Sequence, residues 1–104
     1  MKLAEGLLVY SSIKSLFNVG DTYIVFVQTE KRFLDVPYYR CRVGLNHLAF
    51  HAVSRKHVDD MTKKLKDKGI NVLYTDQHLF AGGDDHYAVY FEDPNRIKVE
   101  LVAP

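Results

Sequence analysis

The 104-residue sequence has one cysteine, three prolines, six glycines and no tryptophan. A lone thiol, Cys41, can form no internal disulfide, so the fold must rest on an apolar core, and a reducing, cytoplasmic setting is expected. The low glycine and proline content excludes collagen-like and low-complexity chains. No single sign of charge dominates. Fourteen basic residues face thirteen acidic ones for a net charge of +1, so nothing in the charge calls for nucleic acid or an anionic membrane as partner. No apolar run approaches the ~20 residues of a membrane-spanning helix. Residues 1–6 carry one lysine and an early glutamate, unlike a signal peptide.

The composition that remains, 47% hydrophobic and 12% aromatic, suits one globular domain. Residues 7–10 form a short apolar run that reads as a strand. Residues 13–17 and 22–28 flank Asn18-Val19-Gly20-Asp21, as in a hairpin. Tyr23-Ile24-Val25-Phe26-Val27 is apolar at every position, which predicts a strand covered on both faces. Residues 31–42 read as a loop around Pro37. Its basic residues alternate with Phe33, Tyr38 and Tyr39, but Glu30 and Asp35 dilute the charge, so a solvated loop near a dimer edge is expected rather than a nucleic-acid surface.

Gly44 precedes a predicted strand over residues 45–53. Ser54 then has the chemistry of a helix N-cap, and Val58, Met61 and Leu65 recur at helical spacing behind it. Asp59 and Asp60 lie early in this helix and Lys63, Lys64, Lys66 and Lys68 late, which suits the helix dipole, while Gly69 supplies the stop. Residues 70–74 read as a short strand and residues 76–85, with Gly82-Gly83, as a loop. Residues 87–91 and 96–102 read as strands joined by Glu92-Asp93-Pro94-Asn95. The fold class is therefore α+β.

Alternation along strands sorts the side chains. Leu48 and Phe50 share one face of the first of these strands, and Ile97, Val99 and Leu101 one face of the last. These apolar sets are the surface the helix should cover. His47 and Glu100 then both point to the opposite, uncovered face, and they come together if the two strands are neighbours. His47 and His51 are four apart, roughly 13 Å along a strand, and cannot share an ion. His57, in the first helical turn, is expected to be exposed, and His86 to start a strand at the rim of the site.

Gly44-Leu45-Asn46-His47-Leu48-Ala49-Phe50, the helix, and Tyr87-Ala88-Val89-Tyr90-Phe91-Glu92-Asp93-Pro94-Asn95-Arg96-Ile97-Lys98-Val99-Glu100-Leu101 together resemble the second half of a vicinal oxygen chelate protein. That superfamily includes glyoxalase I, bleomycin-resistance proteins, extradiol dioxygenases and fosfomycin-resistance transferases. The resemblance implies a βαβββ module over residues 44–102, preceded by about three strands of a truncated first module. The chain would then be one glyoxalase-like domain, with residues 1–43 a partial first module and 44–104 a complete second one. It also implies that His47 and Glu100 are ligands of a divalent metal (zinc, nickel, manganese or iron), with Glu100 the candidate catalytic acid or base.

Two matched ligands are fewer than the three or four of a firm site, with Glu30 or His86 the first suspects for a missed one. The Asp93-Pro94-Asn95-Arg96 turn also lacks the glycine common in the family. The leading expectation is a glyoxalase-like metalloprotein using the metal as a Lewis acid on a small oxygen-bearing substrate. A metal-free protein that sequesters a small molecule and an inactive truncated homologue are the alternatives. Because the apolar faces need cover, a homodimer is expected.

Overall fold

The β-branched and aromatic residues of the N-terminal third and the amphipathic pattern after residue 44 build two different units. The structure, a computed structural model, describes residues 8–10, 14–19 and 21–104, with side chains from residue 21 onward. It divides into two compact units, Met1–Pro37 and Tyr38–Pro104.

The first unit is an antiparallel sheet of β1 (Leu8–Tyr10), β2 (Lys14–Val19) and β3 (Thr22–Val27), in that order. Leu8 pairs with Leu16 and Val19 with Thr22, so β2 and β3 form the expected hairpin. Asn18 and Val19 belong to β2 rather than to the turn, and Leu7, Ile13 and Gly20 lie outside the described residues. A one-turn 3-10 helix follows at Lys31–Phe33. The expectation of cover on both faces of β3 is not met. Tyr23, Val25 and Val27 are 63%, 46% and 66% exposed, while Ile24 and Phe26 are half-buried. Alternation turns every second apolar residue of a strand to one side, and among the described residues this side of β3 stays exposed.

The second unit is a three-stranded sheet, β4 (His47–His51), β6 (Lys98–Val102) and β5 (Ala88–Glu92), with α1 (Arg55–Asp67) on one face. β4 runs parallel to the central β6, which α1 allows by carrying the chain back across the sheet, and β5 is antiparallel to β6. The α+β class is as expected. Ser54 has the extended backbone of an N-cap, and its Oγ accepts the His57 N–H at 3.2 Å. Gly69, at φ 71°, ends the helix in the left-handed region that glycine adopts without penalty. Val58, Met61 and Leu65 are buried, as are Val89, Phe91, Val99 and Leu101 on the sheet face that α1 covers. Each such side chain contributes about 2 kcal/mol of apolar transfer.

Three local expectations are corrected. β4 begins at His47 rather than at residue 45, because the chain up to Asn46 is bent. Residues 70–74 do not form a strand. Val72 makes a single bridge to Phe91, and Tyr74, at φ 55°, turns the chain away from the sheet. His57 is half-buried rather than exposed. Its Nδ1 accepts the Val53 N–H at 3.0 Å, so Nε2 carries the proton, and that atom is enclosed with no hydrogen-bond partner among the described residues.

The turn between β5 and β6 is closed by Asp93, whose Oδ1 accepts the N–H groups of Asn95 and Ile97, both at 2.8 Å. Arg96 fills the left-handed position, φ 67°, where a glycine would carry no steric cost.

Candidate functional site

Strand register assembles the site on the sheet face opposite α1. Ala49 and Tyr90 flank Glu100, and His47 and Glu92 flank Lys98, so these six side chains share one face. Glu100 is 5% exposed. A carboxylate that deep needs partners, and it has one at each oxygen. His47 Nε2 lies 3.3 Å from Oε1 and His86 Nε2 lies 2.5 Å from Oε2. The two residues singled out from the sequence are thus brought together. His86, placed at the rim by the sequence, reaches in from the loop before β5.

The two histidines meet the carboxylate differently. Asn46 Nδ2 donates to the Arg40 carbonyl at 3.4 Å, which turns Asn46 Oδ1 toward His47. His47 Nδ1–H donates to that oxygen at 2.7 Å. That leaves Nε2 as the ring nitrogen turned toward Glu100 Oε1. A nitrogen and a carboxylate oxygen 3.3 Å apart can share a proton or a metal cation. Bonds of about 2.0 Å to a tetrahedral ion would place neighbouring donors about 3.3 Å apart. His47 and Glu100 therefore fit two corners of such a site. An imidazole whose other nitrogen is fixed by an amide oxygen also matches the usual support of a metal-ligating histidine.

His86 is closer, at hydrogen-bond distance, and donates its Nε2–H to Glu100 Oε2. It holds the carboxylate rather than adding a third corner. Among the described residues, no group of three or more His, Cys, Asp or Glu side chains is arranged to hold an ion. Glu30 lies in the other unit, and its carboxylate pairs with Arg32. His51 ends β4, opposite Val102, and is exposed. Cys41 is exposed and free.

Tyr90, 8% exposed, shields Glu100 from water. Burial, then the charge of Glu100 and a hydrogen bond to it, raise the phenol above its ordinary pKa. Gly82 makes this packing possible. A Cβ there would strike the His86 ring and stand 2.7 Å from the Tyr90 hydroxyl. The other end of the face is fixed by Glu92, which Arg40, Asn71 and Arg96 hold at 2.5, 2.8 and 3.4 Å. Asn71 first, then Arg40, holds this carboxyl below its usual pKa against the opposing effect of burial. The Arg40–Glu92 pair also pins the segment that delivers Asn46 and His47.

Sequence reasoning missed Asn46, the Arg40–Glu92 pair and the hydrogen bond that Lys98 Nζ donates to Tyr74 Oη at 2.9 Å. Strict alternation would put Asn46 on the face opposite His47, but alternation does not apply before β4 begins. Arg40 was read as part of a solvated basic loop. Its partner lies 52 positions away, and no local pattern signals that pairing.

Comparison with known proteins places this geometry in context. The family model of the Glyoxalase/Bleomycin resistance protein/Dioxygenase superfamily matches residues 13–101. YqjT of Bacillus subtilis (strain 168), an uncharacterized protein, is 67% identical over 82 residues, which are 79% of this chain and 64% of that protein. The chain thus spans less than two thirds of the length of this curated relative. A crystal structure of a candidate glyoxalase from Bacillus halodurans superposes with a TM-score of 0.89 at 57% identity, covering 94% of this chain and 74% of that one. The fosfomycin resistance protein FosX of Listeria monocytogenes, complexed with manganese(II) and sulfate, superposes at 0.62 with 22% identity, covering 93% and 68%, which shows the shared fold.

Proposed function

The chain belongs to the glyoxalase/bleomycin resistance/dioxygenase superfamily, and from that premise we propose that it is a glyoxalase-like metalloprotein whose helix-free sheet face holds a divalent cation through His47 and Glu100. The observation that carries this reading is the 3.3 Å approach of His47 Nε2, with Nδ1 fixed by Asn46, to a buried carboxylate oxygen. When bound, the ion would act as a Lewis acid on an oxygen of a small substrate. The manganese(II) in the FosX structure supports a divalent ion in this fold.

The residues divide the work. His47 is held in one tautomer by Asn46 and serves as a fixed ligand. Glu100 is both ligand and the group suited to move a proton, because His86 can hold its second oxygen whichever role the first one takes. Tyr90 keeps water from the carboxylate. With two ligands in this unit, further donors must come from water, substrate, a second copy of the chain or additional sequence. A homodimer fits the exposed apolar face of Tyr23, Val25 and Val27, which a second copy would cover.

Native mass spectrometry of protein purified without chelator, followed by manganese(II) titration read by electron paramagnetic resonance, tests the reading. Wild type should bind the ion. His47→Ala and Glu100→Gln should each weaken binding by at least tenfold. Unchanged binding in either variant would overturn the assignment. A second reading, a metal-free small-molecule binder, draws on the lack of a third ligand among the described residues. It predicts a metal-free wild type that does not respond to manganese.

A further inference from the structure

The chain that delivers His47 to β4 is closed on itself. Tyr38 Oη donates to the Leu45 carbonyl at 2.9 Å, the Arg42 N–H to the Tyr39 carbonyl at 3.1 Å, and Asn46 Nδ2 to the Arg40 carbonyl at 3.4 Å. Gly44, at φ 131°, takes the backbone through a bend that a residue with a Cβ would resist. Residues 38–46 therefore form a closed loop, and its last side chain, Asn46, accepts His47 Nδ1–H at 2.7 Å.

This loop is fastened to the turn between β5 and β6 through Arg40 and Tyr39. Arg40 Nη1 lies 2.5 Å from Glu92 Oε2, with the two side chains only 15% and 9% exposed. A charge pair so far removed from water is stiff, because losing either partner leaves the other charge poorly solvated. Glu92 ends β5 and is held in turn by Asn71 Nδ2 at 2.8 Å and Arg96 Nε at 3.4 Å. Arg96 occupies its left-handed position, φ 67°, at a steric cost that glycine would avoid. Its side chain is put to use there, since the guanidinium reaches Glu92 and also lies 5.4 Å from the centroid of the Tyr39 ring. Three remote stretches of the second unit thus converge on one end of the loop, while the other end carries the contact to His47.

β4 fixes the backbone of His47, but the rotation of its ring is left to what touches the ring. Any residue at position 40 has a carbonyl, and the anchored side chain decides where that carbonyl points. We propose that Arg40 is a positioning residue for His47: its ion pair with Glu92 fixes the Arg40 carbonyl, the carbonyl fixes the Asn46 amide, and the amide oxygen holds the imidazole at Nδ1 with Nε2 turned to Glu100. A pairing between residues 52 positions apart then sets how firmly the helix-free face holds a cation. The proposal deepens the metal-site reading and rests on it for the change in affinity, whereas the hold on the ring stands without it.

The test follows the His47 imidazole by nitrogen-15 magnetic resonance in the metal-free full-length chain, and then manganese affinity by electron paramagnetic resonance. In wild type the Nδ1–H should give a resonance protected from exchange with solvent. Arg40→Ala and Glu92→Gln should each lose that protection, and Arg40→Lys, which keeps a cation for Glu92, should retain it. Manganese affinity should fall in Arg40→Ala by up to about tenfold, the loss expected on removing the Asn46 support itself. Because Arg40 acts through Asn46, adding Arg40→Ala to Asn46→Ala should cost nothing more. Ser54→Ala removes the N-cap of α1, so it lowers stability without touching this chain of contacts and should change neither readout. If Arg40→Ala does not fold, Glu92→Gln, which keeps the arginine, decides in its place. A protected Nδ1–H in folded Arg40→Ala, additive losses in the double variant, an equal loss in Ser54→Ala, or a wild type without a protected Nδ1–H would each overturn the proposal. A wild type that binds no manganese would remove the metal reading and leave the resonance comparison to decide this one.

Discussion

His47 Nε2 lies 3.3 Å from Glu100 Oε1, while its Nδ1–H is committed to Asn46 Oδ1 on the other side of the ring. Sheet register brings the two strands together. The tautomer, and with it the chemistry, is set by a residue that precedes the strand.

Asn46 therefore acts on the site through His47. Asn46→Ala removes the acceptor for Nδ1–H and frees the ring to rotate and to exchange tautomers. Manganese affinity should fall by about tenfold, the lower end of what loss of such a supporting contact costs. Asn46→Asp keeps an acceptor at the same place and should retain most of the affinity. The measurement is a manganese titration read by electron paramagnetic resonance. Equal affinity in Asn46→Ala and wild type would show that the strand alone fixes the imidazole.

Glu92 makes stability depend on acid. Asn71 and Arg40 hold its carboxyl below the ordinary value in the folded state. The unfolded chain then binds a proton more readily than the folded one. The stabilisation is complete above the ordinary glutamate range. It is lost as pH falls through that range toward the lower folded value. Glu92→Gln should remove this acid dependence and lower stability at neutral pH by about 2 kcal/mol, because half-buried Arg40 loses its counter-charge. Urea unfolding at a series of pH values checks both effects. Parallel wild-type and Glu92→Gln profiles below pH ~5 would refute the first.

The sequence was informative where one local rule decides the outcome. Ser54, the Val58–Met61–Leu65 stripe and Gly69 define α1 almost without reference to the rest of the chain. Alternation placed His47 and Glu100 on one face because β4 and β6 are regular over those residues. It failed in two ways elsewhere. Residues 70–74 have strand composition, but Tyr74 adopts a left-handed turn stabilised by its contacts with Lys98 and Tyr90, and those partners lie far away in sequence. In β3 the apolar pattern says which residues need cover, not what provides it, so Tyr23, Val25 and Val27 were read as buried and are exposed. His57 shows the same limit at smaller scale. Its place in the first turn suggested exposure, whereas its side chain folds back to accept the Val53 N–H.

Gly82 offers a test of whether His86 matters to the site beyond filling space. The residue is not in the left-handed region, so Gly82→Ala introduces a steric effect rather than a backbone one. Its methyl would collide with the His86 ring and crowd the Tyr90 hydroxyl. Tyr90 is fixed in the middle of β5, so the loop and His86 must give way. Glu100 Oε2 would then lose its His86 donor while the carboxylate stays buried, at a cost of about 2 kcal/mol in stability. Manganese would become a better replacement for the lost proton donor, so the ion should raise the melting temperature of Gly82→Ala more than that of wild type. His86→Ala, which removes the ring without forcing the loop, should show the same enhanced response. If manganese stabilises all three proteins equally, His86 does not hold the carboxylate in solution. If it stabilises both variants less than wild type, His86 is a ligand rather than a support, and the site has a third corner.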